Sequence, residues 1–235
     1  LRSFADLSQI QGMPQSNWSP ETYKSRLATA IKWLSRTFTP ESRAMIKASS
    51  FVSELAKELL LTNTKAMFLF VPLERYIETI LAGAGSRQEA KQLAQARILR
   101  LGNLWALPEG HVIALGWMCE MTTLIDAAQN TGSDKIYWQN FESFLHSPAL
   151  SLSHITGHFG LSANQQECVK LVESPIMRSY SKAPEYDYSA DLRQQLLEQA
   201  RKENSGAINA AIKWVVDLSK NHALIEAALN QAGKR

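Results

Sequence analysis

Cysteine is scarce. The chain carries two, Cys119 and Cys168. Neither has metal-ligand spacing, which argues against a cysteine-built metal centre. They read as unbridged thiols in a reducing compartment. Long apolar runs are also missing: no stretch approaches the ~20 apolar residues that a membrane-spanning helix needs. The opening Leu1-Arg2-Ser3-Phe4 does not read as a secretion signal. These absences lead to the expectation of a cytoplasmic protein with no membrane partner. An excess of one charge sign is absent as well. The 25 basic and 22 acidic residues leave a formal +3. That is too little to argue for a nucleic-acid partner, and it is compatible with a local anion site. No G-x-x-x-x-G-K-[ST] run occurs, so no glycine-rich phosphate cradle is legible. Gly83-Ala84-Gly85-Ser86 follows a helical pattern instead of a strand and reads as a helix cap and turn.

The 235 residues suffice for one good-sized core or two small ones. Apolar residues at 45% and charged residues at 20% are ordinary for a globular chain, so a packed core is expected. The start at Leu1, without Met, reads as the interior of a longer sequence.

Local signals then divide the chain. Ser19-Pro20-Glu21 is a helix start: a capping hydroxyl, a proline suited to the first helical position and an acid at the positive dipole end. Apolar residues recur at Tyr23, Leu27, Ala30, Ile31 and Leu34, which predicts a helix from Pro20 to Phe38, closed by Thr39-Pro40. Ala44-Met45-Ile46 reads as a short buried strand ending in the polar turn Lys47-Ala48-Ser49-Ser50, with a helix from Phe51 to Leu61. Lys65 to Val71 is continuous, aromatic-rich and reads as a strand buried on both faces. Helices are predicted over Pro72 to Leu81, Ser86 to Leu104 and Glu109 to Gln129, with Pro108 as a breaker. A third strand is predicted at Lys135 to Trp138, then short helices over Asn140 to Leu145, Pro148 to Phe159 and Asn164 to Val172. Ser174 to Tyr188 reads as a polar loop. Ala190 to Leu229 carries one or two helices with a break at Gly206. Strands separated by helices pair in parallel by default. The expected fold is therefore α/β: a helix-rich three-layer arrangement around a short parallel sheet, forming a single domain over residues 1–235.

Four ordered stretches resemble the P-loop sulfotransferases, most closely a poorly characterised bacterial group of sulfotransferase-like proteins. Met45 to Phe51 (MIKASSF) resembles the family's strand ending in a lysine and polar turn. Ala66 to Ala82 (AMFLFVPLERYIETILA) resembles its strand–turn–helix that holds a nucleotide 3′-phosphate. Ile136 to Leu161, ending FESFLHSPALSLSHITGHFGL, resembles its acidic-aromatic stretch and small helix. Met177 to Arg193 (MRSYSKAPEYDYSADLR) resembles its late lysine-containing loop. The resemblance runs from Ser42 onward. It implies a P-loop NTPase-like domain lacking here its N-terminal strand and P-loop.

The resemblance also implies an activity: sulfuryl transfer from 3′-phosphoadenosine 5′-phosphosulfate to a small-molecule hydroxyl acceptor, without a metal. Such transfer needs an anion cradle, positive charge at the bridging oxygen and a base for the acceptor. By resemblance Lys47 is the catalytic cation, and Ser49, Arg75, Thr79, Ser181 and Lys182 contact the co-substrate. Each position has a plainer reading. Lys47 suits a lysine snorkelling from a strand edge. Ser49 and Ser50 suit helix capping. Arg75 sits where Glu74 or Glu78 can pair with it, and Ser181-Lys182 suits a solvated loop. The chain departs from the family pattern at Val71, where an arginine is usual, and at Thr79, where a serine is usual. Val71 cannot replace a guanidinium fork. No base is identified, although Glu120 in the long apolar helix is a buried-charge candidate. His154 and His158, four apart, lack a third ligand for a metal. Trp105, Trp117 and Trp138 read as core. Two alternatives stand beside the enzyme: a non-catalytic sulfotransferase-like scaffold that binds other molecules, and a P-loop kinase relative, for which the required lysine and metal ligands are missing.

Overall fold

The computed structural model describes residues 7, 17–48, 50–60, 64–101, 106–180, 183–187 and 190–233. Helix α1 (Pro20–Leu34) starts as its sequence dictates: the Ser19 hydroxyl accepts from the Thr22 N–H, and Pro20 opens the first turn. It stops at Leu34, four residues before the predicted end, because Ser35 caps it and Phe38 has nothing to pack against. Its Leu27 joins Val52 and Leu55 in a small core.

The strand predicted at Ala44-Met45-Ile46 does not form. Residues 42–48 are irregular and exposed. A strand needs a neighbour for its backbone groups, and this segment is instead tethered by a side chain. The Arg43 Nη1 donates to the carbonyl of Phe159 at 3.0 Å. Lys47 therefore does not follow a strand. A 3₁₀ turn (Ser50–Leu55) leads into α2 (Ala56–Leu60), in place of one continuous helix.

Strand β1 (Ala66–Phe70) buries Phe68 and Phe70 on one face. Leu69, between them, is 50% exposed, so the strand is covered on one face and not on both. Val71-Pro72 turns the chain into α3 (Leu73–Ala82), whose Leu73, Ile77 and Leu81 repeat every fourth residue and are buried. Gly83 caps α3, and α4 (Ala84–Leu101) begins at once. Pro108 opens α5 (Glu109–Gln129), which has the predicted bounds. Its Ile113, Ala114, Trp117, Met121 and Ile125 fill the main core. Burying such side chains contributes roughly 1.5–3 kcal/mol each.

Strand β2 (Ile136–Asn140) pairs in parallel with β1, from Ala66 opposite Ile136 to Phe70 opposite Asn140. Trp138 sits edge-on to Phe68 and Phe70, at centroid distances of 5.1 and 5.8 Å. The chain runs straight on into α6 (Phe141–His146), α7 (Pro148–Phe159) and α8 (Gln165–Glu173). Gly160, at φ 65°, closes α7 in the left-handed conformation that glycine adopts without strain.

The segment predicted as a plain loop contains an antiparallel pair, β3 (Ser179–Tyr180) with β4 (Ala183–Asp187). Helix α9 (Ala190–Ser219) bends at Asn204, two residues before the predicted break and beside Ser205-Gly206, a pair that tolerates kinks. Helix α10 (Ala223–Gly233) follows. The backbones of α5 and α9 meet at Gly110: a Cβ there would lie 2.8 Å from the Ala207 carbonyl oxygen. The result is a helix-rich α/β arrangement around a two-stranded parallel sheet, in place of the expected three strands. No described helix is long and apolar enough to cross a membrane.

Candidate functional site

Both parallel strands feed a helix from the same edge of the sheet. β1 reaches α3 through Val71-Pro72, and β2 reaches α6 directly. The carboxyl edge of parallel strands is where α/β folds place ligands. Three arginines and three carboxylates meet there.

Glu78, on α3, is fully buried. It accepts from Arg75 Nη1 at 3.0 Å and from Arg201 Nε of α9 at 2.5 Å. A buried carboxylate needs such partners, because an unpaired charge in the interior is costly. Arg201 also faces Glu74 at 3.6 Å. Arg75 extends outward as well, with its Nε 3.9 Å from Glu142 Oε2. Glu142 stands in the first turn of α6, where the Asn140 side chain accepts from its backbone N–H at 2.9 Å. Arg193, near the start of α9, grips Glu142 with both fork nitrogens, at 2.6 and 3.3 Å. Its guanidinium lies 5.5 Å from the Phe141 ring centroid. The chain of contacts Arg201–Glu78–Arg75–Glu142–Arg193 ties α3, α6 and α9 together at the sheet edge.

A second cluster lies deeper. Glu120 of α5 accepts from Arg97 Nη2 of α4 and from the Ser53 hydroxyl. Arg97, 5% exposed, also faces Glu54 at 3.6 Å. Burial pushes the Glu120 carboxyl above its usual range, against the opposing pull of Arg97 and Ser53. Tyr76, next to Arg75 on α3, faces the same cluster. Burial and then the Glu120 carboxylate push its phenol up to about 12. Gly116 leaves room here: a Cβ would lie 3.5 Å from the Tyr76 hydroxyl and 3.9 Å from Arg97 Nη1. The resulting crevice is small and has mostly apolar walls, among them Leu93, Ile113 and Leu115.

The site residues expected from sequence fare unequally. Arg75 is at the carboxyl edge, paired with Glu78 as its spacing allowed. Thr79 is exposed, and its hydroxyl donates to the Arg75 carbonyl at 2.7 Å, so its proton is used within its own helix. Lys47 is exposed on the irregular segment. Among the described residues no contact joins it to Arg75 or Thr79. Ser49, Ser181 and Lys182 lie outside the described residues, as does Trp105. Trp117 and Trp138 belong to the core, as expected. His158 contacts the Ala66 carbonyl at 3.1 Å. Among the described residues, no three His, Cys, Asp or Glu side chains group as a metal site.

Sequence reasoning missed Glu142, Arg193, Arg201 and Arg97. Their partners lie 23 to 123 positions away, beyond any helical or strand period. No family model, curated protein or solved structure matches this chain.

Proposed function

We propose that this chain is a sulfotransferase-like domain of P-loop NTPase type, acting in the cytoplasm. It binds 3′-phosphoadenosine 5′-phosphosulfate at the carboxyl edge of the sheet and passes the sulfuryl group to a hydroxyl acceptor. The observation that carries this reading is the position of Arg75. It lies in the first turn of the helix that follows a parallel strand, with its guanidinium turned toward a second such helix. In the transfer, the acceptor oxygen bonds to sulfur while the sulfur–oxygen bond to the 5′-phosphate breaks. The acceptor proton passes to a base, and adenosine 3′,5′-bisphosphate departs. Negative charge grows on the departing oxygen, and fixed cations at that edge stabilise it. Arg75 and Arg193 supply such charge. Cys119 and Cys168 form no disulfide, which suits a reducing compartment.

The test is calorimetric titration of the native protein with adenosine 3′,5′-bisphosphate. Saturable one-site binding is expected, with Arg75→Gln weakening it about tenfold, or ~1.4 kcal/mol. Absence of binding would sink the enzyme. A second reading, the non-catalytic scaffold, would then stand. It draws on Val71, which offers no fork at the strand end, and on carboxylates already paired with Arg75, Arg193 and Arg201.

A further inference from the structure

A carboxylate gripped by one guanidinium group and faced by a second occupies the geometry that a phosphate or sulfate would take. Arg193 holds Glu142 through both fork nitrogens, the bidentate mode in which arginine also binds phosphate. Arg75 approaches the same carboxylate at 3.9 Å, beyond hydrogen-bond distance. The carboxylates of this edge differ in access. Glu78 is sealed, with no side-chain exposure, and it anchors Arg75 and Arg201. Glu142 retains 27% of its side-chain exposure, Arg75 also 27%, and Arg193 16%. Glu142 can therefore turn toward water, and Glu78 cannot; the Arg193 fork it would vacate, 16% exposed, then needs another anion.

We infer that Glu142 is an internal stand-in for the anionic group of the ligand: its carboxylate sits on the Arg193 fork with Arg75 beyond it, and it is displaced when a phosphate or sulfate group binds there. This rests on the nucleotide reading of the carboxyl edge. Glu142 balances the charge of Arg193, while Arg75 is held by Glu78. A phosphoryl or sulfuryl group brings more oxygens and, as a phosphate, more charge, so it replaces the carboxylate on the Arg193 fork. Arg193 is thereby assigned as an anion-binding residue, and Glu142 as the residue that sets how tightly the anion is held. A lone structural ion pair would behave oppositely: losing Glu142 would loosen the edge and weaken binding.

The experiment titrates native protein, Glu142→Gln and Arg193→Gln with adenosine 3′,5′-bisphosphate, with thermal melting to confirm folding. Glu142→Gln is expected to bind about tenfold tighter and Arg193→Gln about tenfold weaker, each ~1.4 kcal/mol. Measurable binding by the native protein with no tightening in folded Glu142→Gln would overturn the stand-in while leaving the nucleotide site intact. If Glu142→Gln does not fold, Arg193→Gln decides, and unchanged affinity there overturns the inference. Binding by none of the proteins removes the nucleotide reading itself, and the stand-in with it.

Discussion

Arg97→Met should cost about 3–5 kcal/mol of stability, the usual consequence of breaking a buried ion pair from one side. In a chain of this size that lowers the melting temperature by roughly 6–20 °C. Arg97 is 5% exposed and is the guanidinium partner of Glu120, so methionine fills much of the space but leaves the carboxylate without its cation. Glu54 and Ser53 remain, and only Ser53 donates to Glu120. The loss should depend on pH. Burial holds the Glu120 carboxyl above its usual 4.5 in the folded chain, so the folded state keeps that proton to higher pH than the unfolded state. The resulting contribution to stability is fully present below the unfolded value and is lost as pH rises through the folded value. Removing Arg97 moves the folded value further up, so the variant should lose more at about pH 8 than at about pH 5. Arg97→Met combined with Glu120→Met should recover most of the loss, because both charges then leave the interior. Urea unfolding at the two pH values checks this. A single variant within about 1 kcal/mol of native stability at both would contradict the assignment of a buried pair.

Trp117→Ala is expected to be as damaging, at about 3–5 kcal/mol from lost burial and the cavity left behind. Trp117 is 2% exposed and sits in the core with Phe70, Leu73 and Ile77. Its indole N–H donates to the Val71 carbonyl at 2.9 Å, at the turn between β1 and α3. The deletion therefore also leaves that carbonyl short of a donor, about 1–3 kcal/mol more where water cannot reach it. Trp117→Phe keeps most of the ring and should cost less than half as much. The turn carries Arg75 on its far side, so Trp117→Ala should weaken nucleotide binding at temperatures where the variant is still folded. Denaturant unfolding paired with calorimetry measures both effects. A loss below about 1 kcal/mol would mean that α5 does not fix the strand end.

Parts of this fold were legible because local chemistry decides them. α5 begins just after Pro108 and α7 at Pro148, prolines that end the preceding pattern and suit a helix start, and their predicted bounds match. β1 and β2 were legible from short aromatic runs bounded by turn residues. The failures share one cause: they depend on partners distant in sequence. Ala44-Met45-Ile46 has strand composition, but none of the described strands pairs with it, and Arg43 fixes the segment to the end of α7. Leu69 reads as core but sits on the uncovered face of β1. The pairing of Arg75 with Glu78 was legible because three residues span one helical turn. The grip of Arg193 on Glu142 was not, since 51 positions separate them and no period connects them.

The most direct test of the central claim, that the carboxyl edge of the β1–β2 pair receives the nucleotide, is backbone hydrogen exchange with and without saturating adenosine 3′,5′-bisphosphate. Slowing is expected to concentrate between Val71 and Tyr76 and between Asn140 and Ser143, at least about tenfold, as bound phosphate orders those two turns. Binding that protects other segments, with these two turns unchanged, would contradict it.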